Sequence, residues 1–441
     1  MIPHTGATGA RTGPTRGDAL VVLGGGTFKQ ERFLQEPLDA GLALLVIDEV
    51  GRVPGLVRAA AQPGHPLFGA RIAGVDPQDD AGALAAVVAW QEEFRVRGVL
   101  LLREQYVTTG GLIAEVLGLP GPGLRAATVC RNKLAQRRLI PFAAPAWVAL
   151  CPNDAPLAAR ERLRRLPPGP VVVKALTGSG SVGVELSESP DRALTRVASG
   201  EAVLVEEFVA GREVSVETLV VDGGIVFAGI TRKEVSQDGQ FVERAHTVGP
   251  LHDDVPQERL LALHARVIEA LRFDTGMAHA EYRIAPDGRI VLMEIAARPG
   301  GGGIMSLYTL AGSHPLERSL VAALTGEPTE APVLGRFARQ RYLDHADGTF
   351  TTVQRPERVP VRRYQEERRG IRLDAPPSEA PADYRLVFVE KPRGHRLAVV
   401  RSSSDRVASV LFDAPTPAEL DDLDRRIPDL FVVRAEGGAH S

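Results

Sequence analysis

Over the first part of the chain, unbroken apolar runs alternate with stretches of helical spacing. The run 19–23 ends in Gly24-Gly25-Gly26-Thr27, helical spacing follows over 28–40, and 42–47 is again continuously apolar up to Asp48. Helical spacing over 81–96 leads into a third strand-like run at 98–103. Apolar strands separated by amphipathic helices build a parallel sheet covered on both faces. The pattern predicts one open α/β domain over 19–125.

Past Gly121-Pro122-Gly123 the pattern changes. A basic helix is expected over 126–140, carrying Arg131-Asn132-Lys133 and Arg137-Arg138, and short β runs follow at 171–174, 203–209, 214–221 and 225–230, with a helix at 256–271. The last part has strand candidates at 384–389 and 396–400. It also has a helix opened by Thr416-Pro417-Ala418-Glu419, a capping box with proline at the first helical position. The proline-rich 375–382 reads as an exposed loop, and no polar constellation beyond surface charge stands out in this part.

Composition narrows the class. With 44% apolar and 24% charged residues the chain is of ordinary globular type, and its 441 residues call for several domains. Its 52 basic and 55 acidic residues leave a formal net charge of −3, which provides no general field for nucleic acid or an anionic membrane. Any anion site must be local. The residues 1–18, rich in Gly and Thr, lack the apolar core of a secretory signal and read as a flexible tail, and no later run is long enough for a membrane span. Cys130 and Cys151 form no metal-type pattern, and so few cysteines in so long a chain suit a reducing, cytoplasmic compartment.

Three segments carry candidate chemistry. In 171–184 an apolar strand ends at Lys174 and runs into Gly178-Ser179-Gly180-Ser181, where glycines allow close backbone approach to a phosphate and the ammonium supplies a point charge. A mobile hairpin turn with a rim lysine is the alternative. Glu206-Glu207-Phe208-Val209 and Glu213 place carboxylates within strand sequence, where nucleotide amine and hydroxyl groups are natural partners and solvated edge acids are the plain alternative. In the third segment, Met277-Ala278-His279-Ala280-Glu281 and Leu292-Met293-Glu294 flank a turn at Asp287-Gly288. A hairpin there brings Glu281 and Glu294 together as oxygen ligands of the kind Mg²⁺ takes. The Gly24-Gly25-Gly26 loop is read either as a phosphate cradle or as a tight turn shaping a substrate cleft.

Taken together, these segments resemble the ATP-grasp superfamily: a lysine before a glycine-rich loop, a Glu-Glu-Phe-Val hinge, and paired acids followed by Arg298. The similarity runs over 19–326. The implied fold is multidomain, α/β and α+β: an ATP-grasp fold with an N-terminal open parallel α/β (pre-ATP-grasp) domain. The expected division is a tail 1–18, the N-terminal domain 19–125, linker helices with a small ATP-grasp lid over 126–205, the core with metal and substrate site over 206–330, and a small α/β domain over 331–441 completing the core. By this resemblance Lys133, Lys174 and Ser181 contact ATP, Glu206 and the backbone of Val209 hold adenine, Glu213 takes the ribose, and Glu281 and Glu294 hold Mg²⁺, with Mn²⁺ as a substitute. Arg298 and Lys174 serve catalysis by steadying the transferred phosphoryl group.

Within the superfamily the chain most resembles the L-amino-acid ligases, or dipeptide synthases, through the spacing from Glu281 to Glu294 and Arg298 and through Phe241-Val242-Glu243-Arg244-Ala245-His246. That resemblance implies an ATP-dependent ligase joining amino acids or related small acids to amines through an acyl phosphate. Glu104, Glu243, His246 and Arg298 then face small-molecule substrates. Neither nucleic acid nor membrane is an expected partner, and a homodimer is left open. The alternative is an ATP-grasp carboxylase or formyltransferase acting on a nucleotide precursor. Where many ATP-grasp enzymes have an asparagine ligand this chain has Ala296, which removes one metal ligand and argues for distance from biotin carboxylases and D-alanine ligases.

Overall fold

A computed structural model of the chain describes residues 16–25, 29, 31–178, 183–236, 242–252, 254–363 and 372–437. The N-terminal apolar runs form a four-stranded parallel sheet in the order Arg71–Gly74, Ala43–Asp48, Gly17–Leu23, Phe94–Leu100. Residues 19–23 are all fully buried, as expected of a strand covered on both faces. Helix Asp80–Trp90 begins at Asp79, whose carboxylate accepts from the Gly82 N–H at 3.1 Å, and it stops well before 96 because 94–100 pairs as a strand.

The basic segment 126–140 is two helices, Leu124–Cys130 and Lys133–Leu139. Asn132 separates them: its backbone is extended, and its side chain accepts from the Ala135 N–H at 3.0 Å, which starts the second helix. Next comes a four-stranded antiparallel sheet in the order Trp147–Leu150, Val203–Glu207, Val171–Ala175, Glu185–Ser187. Helices Pro156–Leu163 and Asp191–Ala198 contribute Ala159, Leu163, Ala193 and Val197 to the core of this layer. Strand Val203–Glu207 belongs wholly to it, so this unit extends past residue 205.

A nine-stranded sheet organises the rest, in the order Ile290–Ala296, Gly276–Ile284, Arg212–Val221, Gly224–Val235, Glu243–Val248, Phe337–Tyr342, Ala408–Ala414, Asp383–Val389, Val361–Arg363. Four of these strands come from residues after 330, so the C-terminal part continues the central sheet. The capping box appears as read, with Thr416 accepting from the Glu419 N–H at 3.3 Å and Pro417 opening helix Pro417–Arg425. The strand expected over 396–400 is only Arg396–Leu397.

Candidate active site

The small sheet and one end of the large sheet face each other across a cleft with about 1190 Å³ of open space, mouth included. Lys133, Lys174, Glu213, Glu281, Glu294 and Arg298 are among the residues lining it. Glu281 and Glu294 are directly opposed in the antiparallel register of strands Gly276–Ile284 and Ile290–Ala296. Side chains opposed in this way share a face. The next strand in, Arg212–Val221, sets Glu217 opposite His279, Ser215 opposite Glu281 and Glu213 opposite Arg283. Period-two alternation thus builds one polar floor from three strands.

Each floor acid has a cation. Lys133 Nζ lies 2.7 Å from Glu294 Oε1 and 3.1 Å from the Gly178 carbonyl. Lys233 reaches Glu281 and also Glu213, the latter at 3.3 Å. Burial works against the Lys233 charge, but the surrounding glutamates outweigh it and raise its pKa. Burial likewise disfavours the Glu281 carboxylate, yet Lys233 and His279 hold it well below the usual range. Burial opposes charge on His279 too, while Glu217 at 2.6 Å and Glu281 at 3.3 Å lift it to about 9. Glu217 also accepts from the Gly300 N–H at 3.1 Å; a Cβ at 300 would lie 2.7 Å from the carboxylate, so the close approach requires glycine.

The remaining expected site residues fall in several places. Both oxygens of Glu206 are engaged, by Arg137 at 2.5 Å and Lys174 at 2.6 Å, so its side chain fixes two cations under the cleft. The Val209 carbonyl accepts from Arg283 at 3.0 Å, and Arg283 also reaches Glu213 at 3.2 Å. Glu104 is buried between Arg298 at 2.7 Å and Arg131 at 3.3 Å, which ties the N-terminal domain to the core. Glu243 lines the cleft and pairs with Arg406 at 3.0 Å, whereas His246 is buried beside Tyr342. Ser181 and Phe241 lie outside the described residues. In the Gly24 loop, Gly25 N–H donates to Asp48 at 2.8 Å and a Cβ on Gly24 would strike the Tyr106 ring, so its described part is a tight turn braced within its own domain.

Sequence reasoning missed Lys233, Glu217, His279, Arg137, Arg283, Tyr342 and Arg406. Lys233, Glu217, His279 and Arg283 left a signal: charged or polar residues at every second position of an otherwise apolar strand mark a polar face. Tyr342 and Arg406 left none, and the C-terminal part is not free of polar constellation as expected, because its strands pair with the core.

Residues 168–306 match the family model described as the ATP-grasp domain. The chain carries an ATP-grasp domain. A likeness of fold extends over the whole structure: the L-amino acid ligase of Bacillus licheniformis superposes with a TM-score of 0.74 over 96% of this chain and 100% of that one, at 20% identity. The expected ATP-grasp fold with its N-terminal open parallel domain is therefore the observed one. In sequence, the L-arginine-specific L-amino acid ligase of Bacillus subtilis is 29% identical over 216 residues, 46% of this chain and 51% of that protein. The D-alanine–D-alanine ligase of Gloeobacter violaceus is 28% identical over 209 residues, 43% of this chain and 66% of that protein. The matched span thus covers about half of the first relative and under two thirds of the second. In identity over the matched span the two relatives stand nearly level.

Proposed function

We propose that this chain is an ATP-dependent carboxylate-amine ligase that joins amino acids or related small acids into an amide, with release of ADP and phosphate. The observation that carries the reading is the direct opposition of Glu281 and Glu294 on a cleft floor that also presents Lys133 and Lys174. Lysines on one side and carboxylates on the other suit a triphosphate with its divalent cation. Glu281 and Glu294 would hold Mg²⁺ or Mn²⁺. Among the described residues no group of three or more His, Cys, Asp or Glu could hold a metal, and phosphate oxygens and water would supply the other ligands. When bound, the cation neutralises charge on the phosphates.

The protein's own groups then act as follows. Lys133 and Lys174 bind the phosphates, and Glu213 is within reach of a ribose beside Phe208 and Val209. The substrate carboxylate oxygen attacks the γ-phosphorus, the bond from that phosphorus to the β-bridging oxygen breaks, and ADP leaves. Arg298, oriented by Glu104, steadies the charge on the acyl phosphate. The amine nitrogen attacks the acyl carbon, the carbon–oxygen bond to phosphate breaks, inorganic phosphate leaves, and the amine proton passes to solvent. Glu243 and His246 belong to the amine side of the site. The reading includes a cytoplasmic location, in keeping with Cys130 and Cys151 as free thiols. No helix among the described residues is long and apolar enough to cross a membrane.

The test is ADP release by purified protein over a panel of acid and amine pairs, with products identified by mass spectrometry. Dependence on both an acid and an amine is expected, and Glu294→Ala should lower turnover at least about a hundredfold while circular dichroism stays unchanged. Release of ADP that requires bicarbonate or formate instead would replace the reading with a carboxylating or formylating one.

A further inference from the structure

The polar floor does not end at the nucleotide cleft. Strand pairing sets Lys233 opposite His246, His246 opposite Gln340, and Tyr342 opposite Ser409. A register shift in the pairing at Glu234 and Val235 skips Arg244 and turns Glu243 onto the same face as His246 and Lys233. One face therefore runs from the acids at 281 and 294 into strands supplied by the C-terminal part.

At the far end of this face three buried polar atoms have no hydrogen-bond partner of ordinary geometry among the described residues: both ring nitrogens of His246 and the hydroxyl of Tyr342. Their residues are 3% and 7% exposed. Buried polar groups are nearly always paired, and each left unpaired opposes folding, so three at one spot require an explanation. Gln340 lies across from the histidine and acts on its ring, but its oxygen also accepts from the Gly303 N–H and its nitrogen also donates to Ser409. The two rings meet edge to face, centroids 5.9 Å apart, and the Gly302 backbone closes over them. A Cβ at 302 would lie 2.9 Å from the Tyr342 hydroxyl and 3.5 Å from His246, so the backbone lies this close to both only because residue 302 is glycine. Gly302 follows Arg298 by four residues, and Glu243 borders the cleft while bonding Arg406 at 3.0 Å. Arg406 in turn lies over the Tyr342 ring, 3.9 Å from its centroid.

We propose that Tyr342 is a specificity-determining contact for the amine substrate, acting with His246, and that Arg406 positions the Tyr342 ring. The inference rests on the ligase reading and names where its second substrate binds. An attacking amine offers N–H donors and must keep one lone pair for the acyl carbon. A phenol oxygen and an uncharged imidazole nitrogen accept N–H groups without taking that lone pair. A carboxylate would instead seek the arginine at 298.

Two reactions of the same protein separate the alternatives: amide formation with a panel of amino acids as the amine, and acyl hydroxamate formation with hydroxylamine, which needs no side-chain pocket. Tyr342→Phe should raise the amine KM about tenfold, leave the acid KM and the rate of hydroxamate formation at saturating hydroxylamine within about twofold, and leave the melting temperature unchanged or higher, because it removes an unpartnered buried hydroxyl. Arg406→Gln should raise the amine KM in the same direction, and the double variant should be no worse than Tyr342→Phe alone. An unchanged amine KM in Tyr342→Phe, or a shift that falls on the acid, overturns the proposal. Multiplicative effects in the double variant overturn the positioning role of Arg406. If the unaltered protein forms no hydroxamate with any acid, the ligase reading itself fails, and this inference with it.

Discussion

Glu317, in the first turn of helix Leu316–Thr325, is buried with Oε2 unpartnered among the described residues, and burial pushes its pKa from 4.5 up to about 7. The folded state therefore holds this proton more tightly than the unfolded chain. Between those two values the native state binds more protons, so stability falls as pH rises through that window and stays reduced above it. Glu317→Gln should be nearly neutral below pH 4.5 and should stabilise at pH 8 by up to about 3 kcal/mol, read as a higher melting temperature. Equal melting curves at pH 8 would remove this account. Nothing local in the sequence marks the residue: a glutamate in a first turn is ordinary helix chemistry, and only the packing of helix Arg32–Asp39 against its helix buries it. Glu281 and Glu294 are the opposite case. Their apolar neighbours and the intervening Asp-Gly turn gave away both their pairing and their shared face.

At the scale of elements, the interruption at Asn132 does the most for the site. Its side chain starts helix Lys133–Leu139, so Lys133 sits in the first turn aimed at Glu294, and Arg137 one turn later meets Glu206. Asn132→Ala should cost about 1 kcal/mol of stability and raise the KM for ATP, measured by denaturant melts and ADP release. A lost cap without any effect on ATP would mean that Lys133 is positioned by Glu294 and the Gly178 carbonyl without the cap. The single helix expected over 126–140 missed this break because basic, helix-compatible residues run straight through it, and a cap residue inside such a run resembles ordinary surface polarity. The irregularity at Arg244 was equally hidden. One extra residue reverses the parity of a strand, and alternation alone reads Glu243 and His246 on opposite faces.

For the whole molecule, the central sheet decides what can be separated. Strand Phe337–Tyr342 pairs on one side with Glu243–Val248 and on the other with Ala408–Ala414. A chain ending at residue 330 would expose the 243–248 edge and the buried side chains that the C-terminal strands cover. We expect such a truncation to aggregate or lose cooperative melting, checked by gel filtration and differential scanning calorimetry. A well-folded, ATP-binding product would show the C-terminal part to be an independent module. The sequence by itself determined the N-terminal parallel sheet, the hairpin of paired acids and the lysine before the glycine turn, because each depends on neighbours within a few tens of residues and on simple periodicity. Only the tertiary structure decided that the lysine at 233 faces the acid at 281, that the glutamate at 206 is taken up by two cations, and that tyrosine 342 reaches the floor. Those meetings join residues tens to hundreds of positions apart, where pairing is set by sheet order and the shape of the packed core.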